Sequence, residues 1–351
     1  MFNSDSQGGV AIGHGRAVKV GRRGGGVRSA AAWLAVALLV LWVVLEQRGT
    51  ARSGGSSASD AGTTGKDLTQ LQLWQQAASA WRGKVGGEAV HVVITDEEAK
   101  AALARLGAQL ELVHKGKASD GVAPDPPCKP KYFGTDMKHG GGGRHALCES
   151  RNPLDTETPC NILSYGVERQ WTFEVDVAES WNCRVVAMDP TVTYKTKLHD
   201  KVYFLPFGAP SDHPSAQKSW LFASPSRLAE TLGMKRLSAL KMDCEACEFY
   251  VARDVLAHDP TFFERVDNFS FEVHVSKFFM DSVETMLGYG RLLVLLERAN
   301  LRYVHSEIAP CWSEHEKLGC LDELLALGYP CARGITCQNI LFGRAAGGTL
   351  A

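Results

Sequence analysis

Between residues 161 and 191 the apolar and polar positions predict a strand, a turn, a helix and a second strand. Residues 162–165 form a short apolar run, and Gly166 ends it where a backbone must turn tightly. Trp171, Val175 and Ala178 recur at helical spacing and predict a helix packed on a sheet. Residues 183–188 form the next apolar run, which stops at Asp189-Pro190 because proline cannot donate to a ladder. Downstream, apolar runs predict strands at 202–207, 240–243, 266–275, 301–308 and 338–342. Helical patterns fall at 226–232, 249–257 and 282–299. Upstream, 97–112 reads as a helix with Ala101, Leu103, Leu106 and Leu110 on or near one face, and 68–81 as a shorter one. Strands alternating with helices imply a parallel sheet with right-handed crossovers. The last two strands lack a full crossover helix between them, which predicts an antiparallel pair at one edge.

The N-terminal region departs from this pattern. Residues 1–28 are rich in Gly and Arg and are expected to be a disordered tail. Residues 29–45 are uncharged and apolar, at the short end for a membrane-spanning helix. Arg16, Lys19, Arg22, Arg23 and Arg28 precede them, against Arg48 and Arg52 just after, so the N-terminus is expected in the cytoplasm and the rest in a lumen. A cleaved signal peptide is the alternative, but no clear small-x-small site follows. The expectation is a single-pass type II membrane protein of the Golgi or endoplasmic reticulum. Residues 46–127 are read as stalk and linker with short helices, 128–344 as the α/β domain and 345–351 as a tail.

With 351 residues the chain has room for a sizeable core. Its formal net charge of −1, with no basic stripe interleaved with aromatics, excludes a nucleic-acid footprint. Ten cysteines suit an oxidising compartment; their pairing is not readable from spacing.

Several sites stand where strands end. A glycine closing one strand (Gly166) and an acid closing the next (Asp189), about 20 residues on, is the layout that holds a nucleoside ribose in doubly wound folds. Asp243 closes a later strand, with Glu245 and Glu248 close behind. If these strands flank the topological switch point, Gly166 and Asp243 face each other across the crevice; otherwise the acids cap the next helix. Glu272 and His274 lie two apart and share a strand face, as a general base and its partner would. Cys244-x-x-Cys247 has no second pair at ligand spacing, so zinc is not expected and the two thiols read as packing residues or a local disulfide. The glycines at 140–143 make a loop, either a solvent-exposed linker or a backbone lying over a ligand. Asn268-Phe269-Ser270 is a glycosylation sequon inside a predicted strand and is expected to be unoccupied.

Taken in order, Ser164-Tyr165-Gly166 with Trp171-Thr172-Phe173-Glu174, then Met188-Asp189-Pro190-Thr191, then residues 241–248 (Lys-Met-Asp-Cys-Glu-Ala-Cys-Glu) and Glu272-Val273-His274 resemble S-adenosylmethionine-dependent methyltransferases. The subgroup it is most similar to is the methyltransferase-like protein 24 type, related to FkbM-type enzymes. The resemblance covers roughly residues 130–344. It implies a class I methyltransferase fold: a Rossmann-like, doubly wound, mostly parallel seven-stranded sheet whose late strands pair antiparallel. It further implies S-adenosyl-L-methionine as cofactor, held by Ser164, Tyr165, Gly166, Asp189, Pro190 and Asp243. Gly166 would approach the methionine part, Asp189 would hold the ribose, and Asp243 would line the crevice near the transferred methyl. This chain departs from the pattern at Ala246, where a glycine is usual, and in the Gly-rich segment, where an acid is common.

The resulting expectation is a membrane-anchored methyltransferase with Asp243, Glu272 and His274 as catalytic residues and no metal. Its acceptor would be a glycan hydroxyl or a secreted protein. A type II membrane glycosyltransferase shares the anchor, stalk and α/β domain, and a non-catalytic lumenal binding protein on a methyltransferase fold is the third reading.

Overall fold

The computed structural model describes residues 92–115, 128–135, 144–149, 159–194, 197–212, 216–217, 220–309, 317–331 and 336–344. The apolar segment at 29–45, the 68–81 helix and the 140–143 loop lie outside these residues. No helix among the described residues is long and apolar enough to cross a membrane.

In chain order the elements are α1 (Asp96–His114), β1 (Pro130–Phe133), β2 (His145–Cys148), β3 (Asn161–Tyr165), α2 (Thr172–Ser180), β4 (Arg184–Met188), β5 (Lys197–His199), β6 (Val202–Leu205), β7 (Phe207–Gly208) and β8 (Leu221–Phe222). There follow α3 (Pro225–Thr231), β9 (Ala239–Met242), α4 (Val251–His258), β10 (Asn268–His274), α5 (Val283–Arg298), β11 (Leu301–Ile308), α6 (Asp322–Ala326) and β12 (Cys337–Arg344). The main sheet runs β11-β12-β10-β9-β3-β4-β6-β5. Its centre is parallel, from β10 through β9, β3 and β4 to β6. β12 inserts between β10 and β11, antiparallel to both. The expected antiparallel edge is therefore present, and the expected seven strands become eight because short β5 adds antiparallel to β6.

Strand periodicity assigns side chains to two layers. Leu163, Tyr165, Val186, Met188, Leu240, Met242, Phe269, Phe271 and Val273 face a large core that also includes apolar residues of α1, α3, α4 and α5. Ile162, Val185, Ala187 and Ala239 face a smaller core closed by α2 and by Phe133. On that second side, β9 and β10 present Lys241, Ser270, Glu272 and His274, all buried. Polar positions under a sheet need partners, and they find them in His145 of β2 and in the loop after β9.

Two elements depart from their sequence readings. The helix expected within the stalk is α1, whose Ala99, Ala102, Leu103, Leu106 and Leu110 join the large core beside α5. Thr95 and Glu98 start it with a reciprocal capping box. In α2 the buried face is Phe173, Glu174, Val177 and Ala178 rather than Trp171, Val175 and Ala178. Trp171 is the residue before the helix, and its ring meets Tyr194 edge-on at 4.6 Å.

Disulfides join Cys128 to Cys148, Cys160 to Cys183, Cys244 to Cys247 and Cys320 to Cys331, and Cys337 is also disulfide-bonded. Asn268 is fully buried. Its amide nitrogen donates to the Ser238 carbonyl at 2.9 Å and its oxygen accepts from the Cys148 N–H at 2.9 Å. Both ends of the amide are used, so the folded chain offers no glycan acceptor there.

Candidate functional site

The crevice opens at the carboxyl ends of the parallel strands, where the chain winds from β3 to β4 on one side and from β9 to β10 on the other. Such a switch point leaves a gap between loops that diverge in opposite directions. Here the gap is a cleft of about 380 Å³. Its lining includes Gly166, Glu174, Asp189, Pro190, Lys241 and Asp243, drawn from β3, α2, β4 and β9.

Gly166 has φ +77°, a conformation open to glycine at little cost. Its N–H donates to the Met188 carbonyl at 2.8 Å, tying the β3 turn to the end of β4. On its other side it touches the β9 loop: a Cβ there would fall 1.6 Å from the Asp243 carbonyl oxygen. The two strand ends expected to face each other do so in backbone contact.

Asp189 is 4% exposed. Its Oδ2 accepts from the Glu168 N–H at 2.7 Å, and its Oδ1 accepts from the Thr191 N–H at 2.8 Å and from the Thr191 hydroxyl. A carboxylate has about four acceptor positions, so this one is oriented by the protein and still has capacity for a ligand hydroxyl. Beside it lies an apolar wall of Pro190, Ala209, Trp220 and Phe222.

The cleft floor holds two carboxylates whose surroundings push them apart. Burial alone would raise the Asp243 carboxyl, but Lys241 and His145 outweigh it and hold it well below the usual carboxylate range. Lys241 Nζ and His145 Nε2 each stand 3.8 Å from Asp243 Oδ2. Burial lowers His145, which keeps the imidazole neutral near pH 7, so Lys241 is the charge that matters. Lys241 also donates to the Tyr165 and Gly166 carbonyls. Glu174 shows the opposite balance: burial raises it, and Lys241 and a hydrogen bond from Ser164 only partly compensate. Its Oε1 takes the Ser164 hydroxyl at 2.5 Å, while Oε2 is buried with no hydrogen-bond partner.

Of the sequence-predicted residues, Gly166, Asp189, Pro190 and Asp243 meet in one cleft. Ser164 and Tyr165 lie beneath it. Ser164 reaches Glu174, and Tyr165 crosses to the opposite layer, where its hydroxyl donates to the Ala223 carbonyl at 2.9 Å. Glu272 and His274 do not line the cleft. The His274 ring is buried between Glu248, 3.2 Å from Nδ1, and Glu272, 3.4 Å from Nε2. Burial alone would lower this imidazole, but the two carboxylates raise it well above its ordinary range. An imidazolium has no lone pair with which to take a second proton, so the expected base is absent from this arrangement.

Sequence reading passed over Glu174, Lys241 and His145 as site residues. Glu174 had a signal: an acid on the sheet-facing side of a helix is rare without a partner or a role. His145 had none, because only the packing of the β1–β2 hairpin against β10 brings it beneath Asp243. As for metals, Cys244, Cys247 and Glu248 come close together, as do Glu272, His274 and Cys337. In both groups the cysteines are disulfide-bonded, which leaves no thiolate to ligate.

No family model and no curated protein matches the sequence. Among solved structures, the chain is similar to a 1,6-didemethyltoxoflavin-N1-methyltransferase from Burkholderia thailandensis crystallised with S-adenosylhomocysteine. The identity is 14%, covering 72% of this chain and 92% of that one, at a TM-score of 0.28. It is also similar to a plantazolicin methyltransferase in complex with S-adenosylhomocysteine and a desmethyl analogue, at 10% identity over 56% of this chain and 80% of that one, with a TM-score of 0.25. Likeness at this level has no bearing on what the present chain binds.

Proposed function

We propose that the chain is an S-adenosylmethionine-dependent methyltransferase, and the observation that carries the reading is Asp189. A buried carboxylate, pre-oriented by three donors, closes β4 beside the glycine turn of β3 and keeps acceptor capacity toward the cleft. That is the arrangement a ribose diol needs. The remaining walls suit the other parts of the same molecule. Pro190, Ala209, Trp220 and Phe222 offer an apolar slot for a purine, and the unpartnered Glu174 Oε2 suits the ammonium of an amino-acid end. The excess of carboxylate over Lys241 favours a ligand bearing cationic groups.

When bound, S-adenosylmethionine supplies an electrophilic methyl carbon, so the protein's part is alignment and exclusion of water. Asp243, held ionised, sets a negative field at the switch point rather than acting as a base. The sequence motifs in order add independent support to the same reading. For location, we propose a type II membrane protein facing an endomembrane lumen. The basic residues ahead of 29–45 and the disulfides of the α/β domain support this. A glycan or secreted-protein acceptor follows from that location. Calorimetry on the full-length chain tests the reading: S-adenosylhomocysteine should bind, whereas binding of a nucleotide sugar with manganese in its place would favour the glycosyltransferase.

Glu174→Gln should separate the parts of the ligand. Affinity for S-adenosylhomocysteine is expected to fall roughly ten- to a hundredfold, the value of one charge-assisted hydrogen bond, with methylthioadenosine unaffected. In the unliganded protein the sign reverses. A carboxyl raised by burial binds its proton more tightly folded than unfolded, so Glu174 lowers stability as pH rises from the ordinary carboxylate range through its raised value. The variant should therefore melt higher than wild type near pH 7 and lose the advantage at acid pH. A lower melting temperature at both pH values would contradict this.

A further inference from the structure

The loop that carries Asp243 into the cleft follows a backbone path its own residues disfavour. Glu245 and Ala246 have φ of 51° and 87°, the left-handed region in which a Cβ crowds the neighbouring carbonyl. Neither is a glycine, and Ala246 is fully buried. Immediately outside these two residues stand Cys244 and Cys247, joined by a disulfide with their Cα atoms 5.5 Å apart. Both cysteines line the cleft.

The position of this loop matters at both ends. Before it, the Asp243 N–H donates to the Tyr165 carbonyl at 3.0 Å, and the Asp243 carbonyl lies against Gly166. After it, Glu248 accepts from the His274 N–H at 3.1 Å. Between those anchors the Phe249 N–H donates to the Ala246 carbonyl at 3.2 Å, and the disulfide closes a ring around the left-handed pair itself. Relaxation of that pair would draw the Asp243 carbonyl away from Gly166 and change the cleft wall.

We propose that the Cys244–Cys247 disulfide is a positioning element. It holds Glu245 and Ala246 in the left-handed conformation that a glycine at position 246 would adopt unaided, and so keeps Asp243 against the β3 turn. The cysteines and Ala246 are one device: the cross-link is needed because the residue at 246 carries a Cβ. Its consequence for ligand affinity rests on the methyl-donor reading of the cleft; its consequence for the loop does not.

The experiment uses the full-length chain in three forms: wild type, Cys244→Ser/Cys247→Ser, and that double variant with Ala246→Gly added. Amide hydrogen exchange at Asp243 and Phe249 reads the loop without any ligand. The double variant should exchange about tenfold faster, the scale of releasing one residue from the left-handed region, and Ala246→Gly should bring the rate back toward wild type. Calorimetry with S-adenosylhomocysteine should show the same loss and recovery in affinity. Wild-type exchange in the double variant, or a loosened loop that Ala246→Gly fails to restore, overturns the proposal. Exchange that follows the pattern while no form binds S-adenosylhomocysteine supports the positioning role and overturns the cofactor reading instead.

Discussion

Asp189→Ala is expected to weaken S-adenosylhomocysteine binding at least about tenfold, since one hydroxyl bond to a charged acceptor is worth roughly 1.5–3 kcal/mol. The loss has two sources in the structure. The ligand loses its acceptor, and the Glu168 and Thr191 N–H groups lose the oxygens that shape the turn around it. Asp189→Asn distinguishes charge from shape. An amide carries only one acceptor oxygen, so either Glu168 or Thr191 must face a nitrogen donor instead. The asparagine variant should therefore also bind weakly, though the chain keeps its side-chain volume. Titration calorimetry on both variants, with a melting curve for each, checks this. Unchanged affinity in Asp189→Ala would remove the ribose assignment and the methyltransferase reading with it.

Gly166→Ala should have the largest effect on the folded state. The added Cβ would lie 1.6 Å from the Asp243 oxygen and 2.4 Å from its carbonyl carbon, both backbone atoms. That backbone has little room to retreat, because the Asp243 N–H is bonded to the Tyr165 carbonyl within a parallel strand pair. The left-handed φ adds its own penalty. Together they should cost about 3 kcal/mol or more, or force the β3 and β9 loops apart and close the cleft. Gly233→Ala is the matched control: its φ is +65°, but nothing lies within 4 Å of the added carbon. It should cost only about 1–2 kcal/mol, the conformational share alone. Urea unfolding of both variants measures the difference. Equal midpoints would mean that the Gly166–Asp243 contact contributes nothing.

Much of the central sheet was legible because its strands are short runs rich in apolar residues and bounded by glycine, proline or an acid. Gly166 and Asp189-Pro190 mark the ends of β3 and β4 in the sequence as they do in the fold. Errors arose where an element's burial depends on a distant partner. Whether the α1 helix belongs to a stalk or docks on the α/β domain was not readable from its own residues, because only α5 against it supplies the rest of the core. The buried face of α2 differs from the spacing of Trp171, Val175 and Ala178 because Trp171 precedes the helix and Glu174 turns in to meet Ser164. His274 looked like a base because its neighbour Glu272 is visible in the sequence. Glu248, which helps to lock it as a cation, comes from a loop after another strand.

The amino-acid sequence by itself determined the alternation of strands and helices, the glycine and acid that close β3 and β4, and the polar side chains at the strand ends. Those are local consequences of period, turn chemistry and chain breaks. Tertiary structure alone decided which of those side chains share a cleft, which carboxylate is kept ionised and which is pushed toward its neutral form. It also decided that Cys244 and Cys247 span a left-handed pair. Such properties depend on burial and on charges brought together from segments far apart along the chain, and no local pattern encodes those distances.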